Sequence, residues 1–539
     1  MHSIRPRWAS QLCLKSSRFS AGSPFTSSNH RTSHIADSLL GTIKPASSSS
    51  IRTRHSSSAA SPDKAFRHRL EEVRNACSDP YPRLPSDNRS LSCAAFRDRY
   101  SHLTSNQTVE DDTVVINGRI RAYRLAGSKL IFFDIFQDGH KVQVMCNIRK
   151  LDGVAPDAFK RFYRLLRRGD AFSVTGKPHR TGTGELTILA TELPRLLSPC
   201  LHDVPVDAEE HETSPYPRHV QFLADQKSAD IIRARSAIIQ FLRQFFLDRS
   251  FMEVSTPIIG SIAGGAMARP FQTSATEFPD RQLSLRIAPE LWLKRLVVGG
   301  FDKVFEIGPS FRNEGLDKTH NPEFTTCEFY HAYANLEDLM SITENLLSGM
   351  AAHIQEFDKN ANFTTGIEDK IGRGLPDLTA PDALDQVNQL FRDLSLPIPK
   401  NPTLPRLLDE LCSTYLEPEC INPTFILNPQ SQRVAARAEL FIDGREIVNT
   451  YEEENSPFEQ RRKFEDQVRY NKGTDEPAEI DESYLEALEW GLPSTGGWGC
   501  GIDRLCMLFT GAKRIGDVLP FGNLRAVTRR HDGLSRTTD

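Results

Sequence analysis

Between Thr113 and Leu197 the chain passes through five short β-type runs: Val114–Arg124, Leu130–Phe136, Lys141–Cys146, Ala171–Lys177 and Leu186–Leu193. Turn residues such as Asp138-Gly139 and Gly182-Thr183-Gly184 separate most of them. An arginine-rich helical piece, Phe159–Arg168, falls between the third run and the fourth. Three strands, a helix and two strands is the order of a small barrel of the OB type, a scaffold that binds single-stranded nucleic acid by aromatic stacking and a basic rim. Alternation along Leu130–Phe136 sends Phe132 and Phe136 to one face and Phe133 to the other, so two of the three are expected to fill the barrel and the third to offer a stacking platform to an unpaired base. Lys160, Arg161, Arg164, Arg167 and Arg168 either track phosphates or form the solvated face of their helix.

The barrel accounts for a small share of 539 residues, a length that has room for two to four domains. Met1 to Ala60 is a different polymer: serine-rich, with Arg5, Arg7, Lys15, Arg18, Arg31, Lys44, Arg52 and Arg54 against the single acid Asp37. Such a stretch cannot bury enough apolar surface to offset its ordering entropy. Ile4, Trp8 and Leu12 recur at helical spacing among the first arginines, the pattern of an organellar transit peptide, the alternative being a basic tail without targeting meaning. Without these sixty residues the net charge falls from −4 to −11, so the remaining body is acidic. The expected plan is a presequence over 1–60, a helical connector over 61–108 and the barrel over 109–203. A linker over 204–215 then leads to an α/β (α+β) domain over 216–527, with a proline-rich insertion at about 361–429, and the tail is 528–539. Helices are expected over Ala65–Cys77, near Cys93–Tyr100 and over Ala229–Asp248.

Several function classes are excluded. Ten cysteines occur without a CxxC, so neither a zinc ribbon nor a disulfide scaffold is indicated. No GxxxxGK[ST] or strand-linked GxGxxG is present, which disfavours a P-loop or Rossmann site. No apolar run approaches the roughly 20 residues of a bilayer span, and the interrupted stretch Leu291–Val298 carries Lys294 and Arg295, so no membrane partner is expected.

The chemistry gathers in separated segments. Phe311-Arg312-Asn313-Glu314, then Gly315 to Lys318, then His320-Asn321-Pro322-Glu323-Phe324-Thr325 reads as strand, loop and strand. It offers an arginine able to bridge two anions, a carboxylate, a histidine and an aromatic ring for a purine. Gly496-Gly497-Trp498-Gly499-Cys500-Gly501-Ile502-Asp503-Arg504-Leu505 adds a second arginine after glycines that permit close approach of a ligand, then a buried helix start. Glu439 to Asn449 reads as a hairpin about Asp443-Gly444 with Phe441 opposite Glu446. Glu439 then becomes a diagonal neighbour of Glu446, and the pair is either joined by a divalent cation carrying nucleotide phosphates or solvated at the surface. Asn449, Tyr451 and Glu453 share the other face of that strand, and the two groups reach one ligand only through a bulge or a strong twist.

Together these segments resemble a class II aminoacyl-tRNA synthetase and, within the class, the lysyl-tRNA synthetases, over about His68 to Phe521. Motif 1 resembles Phe251–Pro257 with Gly264–Phe271, motif 2 Phe311–Glu314 with His320–Glu328, and motif 3 Gly499–Arg504. Arg286–Leu291 and Asn449–Glu453 point to lysine, because an aspartate or asparagine enzyme should carry a basic residue where Glu453 stands.

The resemblance implies an antiparallel-sheet catalytic domain that makes lysyl-adenylate from lysine and ATP and passes lysine to tRNA(Lys). It implies ATP and Mg²⁺ as cofactors, a homodimer formed through motif 1, and a place in the mitochondrial matrix. Arg312 would hold the lysine carboxylate and the α-phosphate, with Glu314, Asn321 and Phe324 about the adenine. His320 would lie toward the outer phosphates, Arg504 on the opposite adenine face, and Glu439 and Glu446 on the metal. Gly265, Glu290 and Glu328 would receive the α-amino group, and Tyr330, Asn449, Tyr451 and Glu453 the side chain. A buried ammonium needs a carboxylate and acceptors, which supports Glu453 independently. In the barrel, Phe133 would stack on an anticodon base while Gln143 and Glu185 read base edges. A non-catalytic RNA-binding relative is the remaining alternative, but it would not need Arg312, Glu439, Glu446 and Arg504 together.

Overall fold

A computed structural model describes residues 62–84, 90–151, 153–205, 216–266, 268–350, 375–376, 380–399, 402–428, 436–470 and 480–528. The expected presequence, most of the linker (206–215) and most of the tail (529–539) fall outside the described residues.

Helices α1 (Pro62–Ala76) and α2 (Cys93–Arg99) precede the barrel strands β1 (Val114–Leu125), β2 (Leu130–Gln137), β3 (His140–Asn147), β4 (Ala171–Arg180), β5 (Leu186–Ala190) and β6 (Arg195–Ser198), with α3 (Pro156–Leu165) between β3 and β4. Pairing runs β1-β2-β3-β5-β4 and closes β4 onto β1, while β6 adds to β4. Every ladder is antiparallel except β3–β5. Closure leaves no free edge within the five strands. Asp138 and Gly139 of the β2–β3 turn both have positive φ, as a two-residue hairpin requires. Phe159, Phe162 and Leu165 of α3 are buried, and Phe162 meets Phe172 edge-on at 5.8 Å. Lys160, Arg161 and Arg164 are exposed, as either expectation requires. Arg167 instead pairs with Glu72 at 3.2 Å, and Arg168 donates to the Ala224 carbonyl.

The barrel corrects two expectations: one of the three phenylalanines fills it rather than two, and that one is Phe133. Phe133 is 1% exposed and packs against Phe162 inside the barrel, so it cannot stack on a base. Ile131, Phe133 and Ile135 form the inward set because the barrel interior takes the continuous apolar alternation of β2. Phe132 and Phe136 point outward, with the guanidinium groups of Arg124 and Arg121 over their rings at 4.7 and 4.9 Å.

After α4 (Arg218–Ala224) and α5 (Gln226–Leu247) comes the large sheet. Its strands are β7 (Met252–Glu253), β11 (Lys303–Phe311), β12 (Glu323–Ala332), β13 (Thr424–Asn428), β14 (Arg437–Ile442), β15 (Arg445–Glu452) and β16 (Thr495–Gly501), in the spatial order β13-β14-β15-β16-β12-β11-β7. Only β7 pairs in parallel. A small sheet of β8 (Ile259–Gly260), β9 (Gln272–Ala275) and β10 (Phe278–Leu285) leads to α6 (Glu290–Val298). Helices α5, α7 (Leu336–Met350) and α12 (Ile502–Thr510) cover one face of the large sheet through a core that includes Phe246, Phe329, Leu346, Trp498 and Leu505. Trp498 stacks on Phe329 at 5.0 Å and donates its indole N–H to Thr343 Oγ1 at 2.9 Å, which satisfies a buried polar atom.

The expected insertion contains more structure than its proline content suggests. Helices α8 (Ala383–Asp393) and α9 (Leu404–Tyr415) share an apolar cluster of Val387, Phe391, Leu407 and Leu411, which extends onto Ile426 and Phe441 of the sheet. Thr424–Asn428, placed at the end of the insertion by sequence, is the edge strand of the large sheet. Residues 361–374 lie outside the described residues.

Candidate active site

The uncovered face of the large sheet carries a trough of about 830 Å³. Its floor follows from the glycine spacing of β16. Gly497, Gly499 and Gly501 point one way at period 2, while Trp498 and Cys500 point into the core. Across this floor the register aligns Tyr330, Gly497 and Tyr451 in one row and Glu328, Gly499 and Asn449 in the next, with Glu439 opposite Asn449. Side chains on β12 and β15 therefore become walls, because the strand between them has none.

Arg312 follows β11 and faces this trough with its guanidinium over the Phe324 ring at 5.1 Å. Its buried Nε has no hydrogen-bond partner among the described residues, which marks it as a donor awaiting an anion. Arg504, at the start of α12, donates to the Glu446 carbonyl at 3.1 Å and lies 2.9 Å from His320 Nε2. His320 Nδ1 meets Asp317 Oδ2 at 2.7 Å, so the loop before β12 and the start of α12 are joined at one end of the site. A buried pair secures the other side of this junction. Arg235 of α5 reaches Asp503 Oδ1 at 2.5 Å, and Asp503 Oδ2 accepts from the Thr325 amide at 2.8 Å, beside Phe324. Glu314 and Asn321 line the cavity, and Asn321 also accepts from the Leu524 amide and donates to the Glu323 carbonyl.

The far end of the trough is acidic. Gly265 has φ +94, and a Cβ there would lie 3.0 Å from Glu290 Cβ, so this wall requires glycine. Glu290 begins α6, Glu328 stands on β12, and Glu453 follows β15 with its amide donated to the Thr495 carbonyl. Burial, with Glu290 adding repulsion, pushes Glu328 up to about 8. Burial also lifts Glu453 above the usual carboxylate range, although Lys294 pulls it back. Tyr330, on the β12 wall beside them, is buried, and that burial raises its phenol.

The hairpin resolves the geometric conflict in the sequence. Its turn is Asp443-Gly444, both at positive φ, and Phe441 opposes Glu446 as expected. The register then shifts between Leu440 and Phe441, where Val448 rather than Ile447 faces Leu440. That bulge returns Glu446 to the face of Asn449 and Tyr451, and Asn449 Nδ2 comes within 3.4 Å of Glu446 Oε1. It also corrects the diagonal placement of Glu439, which sits directly opposite Asn449. Glu446 lines the cavity, whereas Glu439 does not line it directly and is bonded to Arg437, which does. Burial pushes Glu439 up to about 7, with Arg437 opposing and Glu446 and Asp409 adding to the rise. Among the described residues no group of three metal-ligating side chains is preassembled.

In the barrel, Gln143 is paired with Asp134 on the outward face that also holds Phe132. Gln143 Oε1 accepts from Thr187, and Glu185 pairs with Lys141 at 3.0 Å.

Comparison with known proteins bears on this arrangement. Residues 210–525 match the family described as tRNA synthetases class II (D, K and N), and residues 114–196 match the OB-fold nucleic acid binding domain. The mitochondrial lysine–tRNA ligase of Schizosaccharomyces pombe is 38% identical over 484 residues, which cover 83% of this chain and 91% of that one. The mitochondrial enzyme of Saccharomyces cerevisiae is 33% identical, over 83% and 88% of the two chains, and the lysine–tRNA ligase of Campylobacter jejuni 37%, over 85% and 96%. The chain belongs to the lysine–tRNA ligases.

In this class II synthetase the structure adds residues to the site that sequence reading passed over. Arg437 lines the cavity, donates to Asn449 Oδ1 at 3.2 Å and lies 5.2 Å above the Tyr451 ring. Asp409 reaches the cavity from α9 of the insertion. Lys294 sits behind Glu290 and Glu453. A charge inside the apolar run Leu291–Val298, one helical turn after Glu290, was the available signal for it.

Proposed function

We propose that this ligase activates lysine with ATP at the trough and transfers it to tRNA(Lys) in the mitochondrial matrix. The observation that carries the reading is an enclosed acid, Glu453, at the end of the cavity whose other end presents Arg312 and Arg504. An amino acid with a cationic side chain satisfies both ends. Its carboxylate would lie toward Arg312, its α-ammonium toward Glu290, Glu328 and the backbone of Gly265, and its ε-ammonium toward Glu453 among Tyr330, Asn449 and Tyr451.

One carboxylate oxygen of lysine attacks the α-phosphorus of ATP, and the bond to the bridging oxygen breaks with release of pyrophosphate. A terminal ribose hydroxyl of tRNA then attacks the carbonyl carbon and AMP departs. No protein nucleophile is needed. The chain contributes position and charge: Arg312 between carboxylate and α-phosphate, Phe324 and Glu314 with Asn321 about the adenine, His320 and Arg504 toward the outer phosphates. The hard oxygen donors Glu446 and Glu439, with Asp409 nearby, fit Mg²⁺ accompanying the nucleotide. When bound it would neutralise phosphate charge. In the barrel, Phe132 replaces Phe133 as the stacking aromatic for the anticodon, beside Gln143 and Glu185.

The mitochondrial reading is supported by the basic, acid-poor segment Met1 to Ala60 and by relatives named as mitochondrial. Motif 1 residues support a homodimer, since Met252, Ile258 and Ile259 are exposed beside β7 and β8. Amino-acid-dependent ATP–pyrophosphate exchange with a panel of twenty amino acids tests the activity. Lysine alone should support exchange, and Arg312→Ala should abolish it; exchange with aspartate, or a near-normal Arg312→Ala enzyme, would refute the reading.

A further inference from the structure

The acidic end of the trough contains a cation that the reaction does not consume. Lys294 of α6 has a side chain only 4% exposed, and its Nζ lies 2.7 Å from Glu290 Oε1 and 2.5 Å from Glu453 Oε2. It does not line the cavity, although Glu290, Glu328, Tyr330 and Glu453 all do. Each of the two carboxylates is thus divided. The inner oxygen is held from behind by one ammonium, and the outer oxygen is directed at a glycine of the cavity wall. Glu290 Oε2 lies 3.4 Å from where a Cβ of Gly265 would stand, and Glu453 Oε1 lies against Gly497.

We propose that Lys294 is the positioning residue of the amino-acid pocket. Its single ammonium locks the carboxylates for the two ends of the substrate at a fixed separation and sets their charge, so that a ligand bringing two ammonium groups completes the balance. The count follows from the wall. Glu290, Glu328 and Glu453 supply three carboxylates, Lys294 supplies one ammonium, and lysine supplies two more while its carboxylate turns to Arg312. An analogue lacking either ammonium leaves one buried carboxylate uncompensated, which is costly. Specificity for lysine therefore depends on a residue that never touches the substrate.

The inference rests on lysine being the substrate, and its test compares variants that are all assayed with lysine. If wild-type protein did not exchange with lysine, the proposed activity would fail before this question arose. Groups facing Lys294 are Glu290 on its own helix, Tyr330 of β12 with its ring 5.7 Å from Nζ, Glu453 after β15 and Tyr484 of the helix Glu482–Glu489, while Lys463 of the helix Pro457–Tyr470 faces Glu453. Burial alone would discharge Lys294, but Glu290 and Glu453 more than reverse this and hold it charged. Lysine binds the ionised carboxylates. In the free enzyme burial delays the ionisation of Glu328 and Glu453, so the KM for lysine should fall with pH and level off above their range. Removing Lys294 removes the charge that holds Glu453 down, so Glu453 should ionise only at higher pH and levelling should move up with it.

The experiment is lysine-dependent pyrophosphate exchange by the full chain from about pH 6 to 8.5, where the substrate keeps both ammonium groups, with thermal unfolding measured alongside. Lys294→Met should raise the KM for lysine about tenfold near neutrality, change the KM for ATP less than about twofold, and move the levelling point up by about one pH unit. Lys294→Arg, which keeps the charge, should keep the wild-type levelling point. A Met variant with uniformly raised KM and an unchanged pH profile would reduce Lys294 to packing, and a lowered KM would make it a competitor for the substrate site; either result overturns the proposal. Should the Met variant fail to fold, the Arg variant still decides, because a levelling point displaced by about one unit with charge retained would also overturn it.

Discussion

At the scale of single residues, the trough depends on what three glycines omit. A Cβ on Gly497 would stand 2.8 Å from Tyr330 Cε1 and collide with Glu453 Oε1, the oxygen that faces the cavity. Gly499 is less constrained, its nearest neighbour being Glu328 Cγ at 3.7 Å. Alanine normally gains about 0.5 to 1 kcal/mol over glycine within a strand, but overpacking costs about 1 to 3 kcal/mol, so Gly497→Ala should be mildly destabilising overall. Its larger effect should be chemical. Displacing Glu453 should raise the KM for lysine at least about tenfold with little change for ATP, since a charge-assisted hydrogen bond contributes about 1.5 to 3 kcal/mol. Steady-state exchange kinetics check this, and equal losses for both substrates would show that Gly497 serves the nucleotide instead. The glycine run itself is visible in the sequence. Which glycines are indispensable is not, because that depends on Tyr330 and Glu453 arriving from other strands.

At the scale of elements, legibility follows the range of the interaction that sets each feature. Strands β1 to β5 and helices α2, α3 and α5 could be read within a few residues of their ends because period-2 and helical apolar spacing are local. The bulge at Ile447 could not, since it is one extra residue in a ladder whose partner is fixed by the whole sheet. The helices of the insertion were legible by the same local rule as the other helices, since Val387, Leu390 and Phe391, and then Leu407, Leu408 and Leu411, recur at helical spacing; the prolines around them obscured it.

Phe133 illustrates the same limit, because alternation separates it from Phe132 without saying which face is inside. The structure turns that ambiguity into a measurement. Phe133→Ala empties a fully buried site and should destabilise the barrel by about 3 to 5 kcal/mol. Phe132→Ala should leave stability nearly unchanged and raise the KM for tRNA in aminoacylation about tenfold or more, since a base–aromatic stack contributes about 1 to 3 kcal/mol. Neither change touches the trough, so pyrophosphate exchange by folded Phe132→Ala should equal wild type. An unchanged KM for tRNA in that variant would remove Phe132 from the anticodon surface.

At the scale of the whole molecule, the proposed dimer surface and Arg312 are connected by one buried network. Thr256, at the end of the motif 1 segment, donates through its amide and hydroxyl to Glu306 Oε2 at 3.0 and 2.7 Å. Glu306 Oε1 pairs with Arg286 at 2.6 Å, both side chains being almost fully enclosed. The backbone of Arg286 accepts from Phe311, the residue before Arg312, and donates to Ile258. Met252, Ile258, Ile259 and Phe278 leave apolar surface exposed beside this network, an arrangement suited to burial against a second copy. Ile259, more than half exposed at 55%, makes no contribution to the core, so Ile259→Asp should spare the monomer fold. Sedimentation should show wild-type protein at the mass of two chains and the variant at one. Exchange should fall with the dimer, because Thr256 and Ile258 lose the partner that would fix them, and through Glu306 and Arg286 the strand carrying Arg312 loses its support. A wild-type mass of one chain would dismiss the dimer outright. A monomeric variant with full exchange would instead show that the buried Arg286–Glu306 pair holds Arg312 unaided.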